Sequence, residues 1–160
     1  MATTICKLKK TDIEQTVLLY SKIIHPAYIS YGEITEGLAI NPKEFSDKAL
    51  NSFKRFITKS LNSDNIAVYV ALNKKDIIGF VCIEINKAKA GHQEGWITDL
   101  GVEKQFRRYG VAKKLLATAY SFGNKNKVKH FFIESGYANH GAHAVFKKEG
   151  FKPLNIIFIK

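Results

Sequence analysis

Features that would direct this chain to a membrane or to export are missing from its 160 residues. The longest uninterrupted apolar run, Ile66 to Leu72, is far shorter than the roughly 20 residues that span a bilayer. The N-terminal stretch from Met1 to Lys10 contains no apolar core of signal-peptide length. Low-complexity tracts, heptad patterns and internal repeats are also missing. These absences predict a soluble, cytoplasmic protein with no membrane partner.

Cysteine is scarce, and the two cysteines present, Cys6 and Cys82, lie far apart, each inside a β-leaning segment. Buried free thiols behave as small hydrophobic side chains. We therefore expect neither a disulfide nor a nucleophilic cysteine. The five histidines show no ligand spacing with cysteine or carboxylate residues, so no metal site is predicted.

Acidic residues are outnumbered, with 14 Asp and Glu against 25 Lys and Arg, which gives a formal net charge of +11. Such an excess attracts polyanions, so a basic nucleic-acid-binding module is one hypothesis. The lysines are nevertheless spread from Lys7 to Lys160, and no nucleic-acid-binding motif or aromatic platform is recognisable. We therefore do not expect a nucleic-acid partner, and we interpret most of the charge as a solvated surface.

The length and the composition, 46% hydrophobic and 24% charged, predict a single domain over residues 1–160. Its predicted elements are a strand at Thr3–Leu8, a helix capped by Thr11, a loop or irregular helix at Tyr28–Ala39, a helix opened by Asn41-Pro42, strands at Ile66–Leu72 and Ile77–Ile85, the strand and helix of Trp96–Phe122, a strand at His130–Ser135 and a helix at Asn139–Glu149. The last segment, Phe151–Lys160, is predicted as one strand or as a pair of strands with a bend near Pro153. Short loops join the middle strands, which predicts an α/β fold of the mixed (α+β) type with a mostly antiparallel sheet flanked by helices.

The central stretch from Trp96 to Phe122 combines a strand, a cationic turn and a helix that opens at Gly110. The first N–H groups of a helix have no partner within it, and they meet an anion at the positive end of the helix dipole. Small residues at Gly110 and Ala112 leave these groups uncovered. Positive charge surrounds the same point, from Arg107, Arg108, Lys113 and Lys114. This pattern predicts a cradle for a pyrophosphate.

The spacing Arg107-x-x-Gly110-x-Ala112, directly after a strand that ends Leu100-Gly101-Val102, resembles the acetyl-CoA signature of the GNAT superfamily of N-acetyltransferases. A second conserved segment of that family is similar in order and spacing to Asn139, Ala142 and Phe146 followed by Gly150-Phe151. The resemblance implies the GNAT fold, acetyl-CoA as cosubstrate and an amine as acetyl acceptor.

The resemblance also implies which residues bind acetyl-CoA. The strand before the cradle would offer backbone groups to the pantetheine arm, the cradle would hold the pyrophosphate, and an asparagine at the head of the last helix would bond the arm. In this sequence these residues are Leu100, Gly101 and Val102, then Arg107, Arg108, Tyr109, Gly110, Val111, Ala112 and Lys113, and finally Asn139. Asn139 is equally interpretable as an ordinary helix cap.

The catalytic residues are less clearly indicated. Many family members protonate the departing thiolate with a tyrosine seven residues after the asparagine, but that position is Phe146 here, which cannot donate a proton. His143 shares a helix face with Asn139 and Phe146, so we expect it to be the substitute acid, with Tyr137 and His140 as weaker candidates. The alternative is that His143 is an ordinary surface or half-buried histidine. For the base we expect Asp99, with Glu94 and Glu134 as alternatives.

The acceptor is a small-molecule or protein amine by this interpretation. An aromatic and acidic stretch containing Tyr28, Tyr31, Glu33 and Glu36 would favour a cationic amine, although a solvated loop explains it as well. Phe146 also permits a catalytically impaired acetyl-CoA-binding sensor. We expect a monomer or a homodimer.

Overall fold

The computed structural model describes residues 2–160, which form two compact units. The first unit contains the chain up to Ile24 together with Leu50–Ile133. The second unit contains His25–Ala49 together with Glu134–Lys160. Each unit is therefore discontinuous in sequence.

Strands and helices are interspersed along the chain, and three strands in its middle follow one another without a helix between them. The strands are β1 (Thr4–Lys7), β2 (Ala39–Asn41), β3 (Glu44–Phe45), β4 (Ile66–Asn73), β5 (Asp76–Lys87), β6 (Gln93–Val102) and β7 (Val128–Ile133). The α-helices are α1 (Ile13–Ile23), α2 (Tyr31–Thr35), α3 (Ala49–Lys59), α4 (Val111–Lys125) and α5 (His140–Lys148). Short 3₁₀ helices lie at Lys10–Asp12, Pro26–Tyr28, Ser60–Asn62 and Lys104–Phe106.

The first unit is built on a five-stranded sheet with the order β1-β4-β5-β6-β7. The three pairs from β1 to β6 are antiparallel, whereas β6 and β7 are parallel and are joined by the crossover helix α4. A mostly antiparallel mixed sheet flanked by helices was the predicted fold class, and the structure confirms it. In the second unit, β2 and β3 form a two-stranded sheet.

The core of the first unit lies on both faces of this sheet. Alternate side chains of a strand point to opposite faces, so Phe80 and Cys82 of β5 face one way and Gly79 and Val81 the other. Phe80 packs in a cluster with buried residues of α1 and α3, whereas α4 meets Gly79 through Val111 and Leu115. Helices α1 and α3 therefore cover one face and α4 covers the other.

Helix α1 packs directly on the backbone of β6. An added Cβ at Gly101 would lie 2.3 Å from Cδ1 of Ile23 in α1 and 2.8 Å from the ring of Phe80. Separations this short require the neighbouring side chains to move. Glycine at this position therefore sets the distance between α1 and the end of the strand that leads into the cationic loop.

Two helix starts differ from the prediction. The first helix begins at Ile13 with Asp12 as its cap, because Thr11 lies within a preceding 3₁₀ helix. Asn41-Pro42 does not open a helix but turns the chain between β2 and β3, and α3 begins at Ala49. The side-chain oxygen of Asn41 accepts a hydrogen bond from the N–H of Lys43 at 2.9 Å, which stabilises the turn.

The predicted strand at Phe151–Lys160 is wrong. Helix α5 is closed by a Schellman motif, in which the Phe151 N–H bonds the Phe146 carbonyl at 3.0 Å and the Gly150 N–H bonds the Lys147 carbonyl at 3.1 Å. Beyond this motif, residues 152–160 have no regular secondary structure and are exposed. A strand needs a neighbouring backbone, and none among the described residues pairs with this segment.

We predict that Gly101→Ala lowers the free energy of unfolding by about 1–3 kcal/mol, because the new methyl group overpacks the contact with Ile23 and Phe80. Gly141→Ala in α5 is the matched control, since an added Cβ there meets nothing within 4 Å. The control should be neutral or stabilise by less than about 1 kcal/mol. Urea unfolding of both variants tests this, and equal midpoints would contradict it.

Candidate active site

Strand β6 loses its neighbour on one side halfway along its length. Its parallel pairing with β7 ends where Ile97 meets Ile133, whereas its antiparallel pairing with β5 continues to Val102. A bulge lies at the same point, because Ile83 pairs with Ile97 and Cys82 with Asp99, which leaves Thr98 as the extra residue. The predicted arm-binding residues, Leu100 to Val102, all lie in this one-sided part of the strand. An extended ligand could add main-chain hydrogen bonds there.

The loop after β6 ends in a row of backbone donors. Within residues 2–160, none of the six N–H groups from Arg108 to Lys113 donates a hydrogen bond to another atom of the protein. The first such bond of α4 runs from the Lys114 N–H to the Gly110 carbonyl at 3.1 Å. A helix start leaves its first N–H groups without partners, and here the unpaired N–H groups continue backwards into the loop that precedes the helix. They provide a concentrated set of donors for an anion.

Backbone conformation shapes this row of donors. Gly110 caps α4 in the left-handed region with φ +77°, and Arg108 also has a positive φ of 66°. An added Cβ at Gly110 would meet nothing within 4 Å, so the space in front of the helix is open. Successive N–H groups in such turns form a concave surface suited to phosphate oxygens. The predicted cradle residues therefore fit a pyrophosphate in this structure.

Two anchors hold the cradle in place. Val111, Leu115, Leu116 and Ala119 are buried at helical spacing, which fixes α4 on the sheet. The Nε–H of Arg107 donates to the carbonyl of Val102 at 3.0 Å, which ties the loop to the end of β6. Arg107 therefore links the loop to the strand. Its position in the motif had predicted only that it is one of several positive charges around an anion.

Asp99 lies on β6 directly opposite Cys82 on β5. Burial, and secondly the charge of Asp99, raise the pKa of the Cys82 thiol well above its ordinary value of 9.0. Burial also raises the pKa of the Cys6 thiol. Both thiols are therefore protonated near neutral pH, and neither is an activated nucleophile.

In the second unit, Asn139 caps helix α5. Its side-chain oxygen accepts from the Ala142 N–H at 3.4 Å, and its amide nitrogen donates to the Ser135 hydroxyl at 3.1 Å. These bonds fix the orientation of the carboxamide and leave one of its N–H groups for another acceptor. Asn139 is thus the helix cap that was one of its two predicted roles, and its capping bonds do not prevent it from binding a ligand as well.

His143 lies one turn after Asn139, with its N–H bonded to the Asn139 carbonyl at 3.1 Å. Its ring is partly buried and lies 6.1 Å from the ring of His140. Phe146, one turn further, packs against Phe151 with a ring separation of 6.1 Å. Among these three aromatic residues of α5, only the two histidines can donate a proton. The weaker candidate Tyr137 is 78% exposed in the preceding turn.

The acidic segment of the second unit is mostly engaged in its own structure. Glu33 accepts from the Ser30 N–H at 2.7 Å and from the Ser30 hydroxyl at 2.5 Å, which closes a capping box at the start of α2. Glu134 accepts from the Gly32 N–H at 3.0 Å. Glu36 remains an exposed acidic group at the end of α2. A cationic acceptor would therefore have Glu36, rather than Glu33, available in this segment.

Glu94, the other alternative base, is held in an aromatic cluster of the first unit. Its carboxylate accepts from the Trp96 indole N–H at 3.3 Å and lies 3.4 Å from Nε2 of His92. Trp96 in turn stacks on Phe132 with centroids 4.9 Å apart. These contacts give Glu94 a structural role.

Sequence reasoning missed the contact at Gly136. An added Cβ there would lie 2.3 Å from the Ala27 carbonyl oxygen and 2.4 Å from that of Ile29. The backbone before α5 therefore touches the backbone before α2. The spacing of Ser30 and Glu33 is typical of a capping box, so this contact could have been predicted from the sequence. The Gly136 contact left no local signal, because it joins residues more than 100 positions apart.

The predicted residues thus form two groups. Asp99, Leu100 to Val102 and Arg107 to Lys113 lie together along β6, the following loop and the start of α4, all in the first unit. Asn139 and His143 lie together on α5 in the second unit. Within residues 2–160, no group of three or more His, Cys, Asp or Glu is arranged to hold a metal ion. No helix in that range is long and apolar enough to span a membrane.

Residues 33–151 match the model of the acetyltransferase (GNAT) family. The chain belongs to the GNAT family of acetyltransferases. The match includes parts of both compact units, and it identifies the chain as an enzyme that transfers acyl groups, as its motifs predicted. No curated protein is similar enough to this GNAT acetyltransferase to count as a match.

Solved structures share the fold over nearly the whole chain. AAC(6')-Iy in complex with the bisubstrate analogue CoA-S-monomethyl-acetylneamine is 19% identical, with a TM-score of 0.73 over 100% of this chain and 98% of that one. The aminoglycoside acetyltransferase meta-AAC0020 from an uncultured soil metagenomic sample, in complex with sisomicin, is 19% identical, with a TM-score of 0.68 over 99% and 95%. Glucosamine-6-phosphate N-acetyltransferase from Arabidopsis thaliana is 15% identical, with a TM-score of 0.71 over 100% and 98%. At these identities the likeness establishes the GNAT fold.

The raised thiol pKa of Cys82 makes stability depend on alkaline pH. A raised pKa in the folded state contributes stability that is fully present below the unfolded value of about 9 and is lost as the pH rises through the folded value. We expect the free energy of unfolding, obtained from urea titrations, to fall above pH 9 by at most about 1.4 kcal/mol per pH unit from this group. Cys82→Ala should reduce that fall more than the control Cys6→Ala. Identical pH dependences in the parent and Cys82→Ala would contradict this.

Proposed function

We propose that this GNAT enzyme transfers the acetyl group of acetyl-CoA directly to a primary amine. The observation that carries the proposal is the row of six unpaired N–H groups from Arg108 to Lys113, next to the one-sided part of β6. A helix start with free donors binds phosphate groups, and a strand edge binds the amide groups of an extended chain. In acetyl-CoA, the pyrophosphate is suited to the helix start, and the pantetheine arm, which contains amide groups, is suited to the strand edge.

Each group of residues has a distinct role in this proposal. The cradle N–H groups bind phosphate oxygens, and the exposed side chains of Arg108 and Lys113 add charge that solvent partly screens. Leu100, Gly101 and Val102 bind the arm through their backbone. Asn139 adds a hydrogen bond through its remaining amide N–H. Tyr109, Val111 and Ala112 contribute backbone donors only.

Acetyl transfer from a thioester to an amine requires a neutral amine and a proton for the departing thiolate. Asp99 would accept the amine proton, directly or through water, and His143 would supply the second proton in place of the tyrosine that Phe146 replaces. No acetyl-enzyme is required, because both thiols have raised pKa values and the buried Cys82 is inaccessible to substrate.

The acceptor we favour is a small cationic amine. AAC(6')-Iy was solved with the bisubstrate analogue CoA-S-monomethyl-acetylneamine and meta-AAC0020 with sisomicin, and both complexes support this class. A chain with a net charge of +11 repels a cation at long range, so a local carboxylate must offset that repulsion. Glu36, exposed at the C-terminal end of α2, is the group we assign to this task. A protein amine is the alternative acceptor.

Acetyl-CoA binding to the cradle is tested with a pair of matched glycine variants. Gly110→Trp should weaken acetyl-CoA by about tenfold or more, which corresponds to about 1.4 kcal/mol, because the indole fills the space in front of α4. Gly91→Trp is the control, since Gly91 also has a positive φ and open space around a Cβ but lies between β5 and β6. Titration calorimetry should show parent-like affinity for the control. Parent-like affinity in Gly110→Trp would mean that acetyl-CoA binds elsewhere on the protein. A parent protein that does not bind acetyl-CoA would contradict the proposal.

The role of His143 is tested by turnover. His143→Phe should lower kcat by about 10²- to 10⁴-fold with little change in acetyl-CoA affinity, because the proton is needed only as the thiolate departs. Adding Phe146→Tyr should restore part of the rate. His140→Phe, on the same helix, is the control and should keep the parent rate. Full turnover in His143→Phe would mean that water or the environment of coenzyme A takes the role of the acid.

The same experiments separate the alternatives. An impaired sensor would bind acetyl-CoA and fail to acetylate any of a panel of aminoglycosides, polyamines, amino sugars and peptides. A nucleic-acid-binding module would bind RNA or DNA with an affinity that falls steeply with salt.

We also propose that residues 1–160 form one N-acetyltransferase domain that works in the cytoplasm.

A further inference from the structure

A cavity of about 240 Å³ lies in the first unit, on the face of the sheet that α1 covers. Gln15, Leu18, Leu19 and Lys22 form its wall on α1, and they recur at the spacing of a single helix face. The other walls are the first residues of β5 and the loop that follows β6. The cradle lies at the start of α4, which covers the opposite face of the sheet. The cavity is therefore distinct from the cradle.

The cavity has an apolar floor. Leu19 and Ile77 are each 4% exposed, and the partly buried ring of Phe106 lines the same space. The volume is below the roughly 300–1,000 Å³ of pockets for drug-sized ligands. The cavity therefore suits a small metabolite with an apolar portion.

Charged side chains of both signs line the cavity without pairing with one another. Lys22 contributes an ammonium group, and Asp76 and Glu103 contribute carboxylates. Among residues 2–160, none of these three side chains takes part in an ion pair or a hydrogen bond. The amides of Gln15 and Gln105, which line the same cavity, also have no hydrogen bond in that range. These five polar groups are therefore available to a ligand.

We propose that this cavity binds a free basic amino acid, such as arginine or lysine. The lining has two negative charges and one positive charge, and a basic amino acid has the complementary set. The α-carboxylate pairs with Lys22, and the two cationic groups pair with Asp76 and Glu103. The methylene groups of the ligand cover Leu19 and Ile77, as the stems of long basic side chains cover apolar surface within proteins.

The same charges disfavour two related classes of ligand. A polyamine has no carboxylate, so Lys22 repels it. A neutral amino acid leaves one of the two carboxylates without a partner. The proposed site does not depend on acetyl transfer, because none of the residues that line the cavity belongs to the candidate active site.

The test is a titration of the isotope-labelled full chain with L-arginine in the absence of acetyl-CoA, followed by NMR. We expect a dissociation constant of about 1 mM or lower, with the amide shifts concentrated at the residues that line the cavity. Agmatine, which is arginine without its carboxylate, and L-leucine, which has no side-chain cation, should each bind about threefold more weakly or worse.

Charge-removing variants test each assigned contact. Lys22→Gln should weaken L-arginine about threefold or more without weakening agmatine, because agmatine lacks the group that Lys22 binds. Asp76→Asn and Glu103→Gln should weaken both ligands. Lys87→Gln and Asp64→Asn are the matched controls, since both positions are exposed charged residues of the first unit outside the cavity. They should keep the parent affinities.

All five variants should keep the parent urea midpoint, because none of the replaced side chains is buried. A parent that does not bind L-arginine at about 10 mM would overturn the proposal. Shifts centred on α2 and α5, equal affinities for agmatine and L-arginine, or equal weakening by the control variants would do the same.

Discussion

The partial pairing of β6 is the constraint on which the candidate site depends. Up to Ile97 the strand is held on both sides, which fixes its position in the sheet. From Leu100 to Val102 its one paired strand among residues 2–160 is β5, so the other edge of this stretch has no strand beside it. Binding groups on a strand are positioned more precisely than groups on a loop. The link from Arg107 to the Val102 carbonyl passes this rigidity on to the cradle.

The site also shows how a strongly basic chain can discriminate between anions. Most of its cationic side chains are exposed, and exposed charges attract any anion with an energy that salt largely removes. The six N–H groups that donate no hydrogen bond within residues 2–160 are different, because they belong to the backbone of the loop and of the first turn of α4. In the proposed function they would bind only a ligand of matching shape. General attraction would then come from the side chains, and selectivity from the backbone.

Sequence patterns predicted the parts of this chain in which local and long-range structure agree. Buried strands such as β4 and the apolar stripe of α4 were predictable, since their periodicity reflects the burial that stabilises them. The family motifs likewise placed the cradle at the start of a helix. Asn41-Pro42 was misleading because a proline suits a turn as well as the first turn of a helix. The strand expected at Phe151–Lys160 was not found, since a strand depends on a neighbour that its own residues cannot specify. The hydrogen bond from the Gly32 N–H to Glu134 could not be predicted either, because it joins residues 102 positions apart in the sequence.

The close approach at Gly136 has a consequence for how this enzyme could change its acceptor. The carbonyls of Ala27 and Ile29 lie where any side chain at position 136 would have to fit, and the Gly32 N–H is tied to Glu134. The segment carrying Tyr31 and Glu36 is therefore braced against the chain that leads into α5 and His143. We expect a substitution that reshapes one of these stretches to displace the other. In the proposed function, in which Glu36 binds the acceptor and His143 delivers the proton, acceptor preference and proton delivery would then be inherited together. New specificities would arise by changes at the tip of α2 that leave the contact at Gly136 intact.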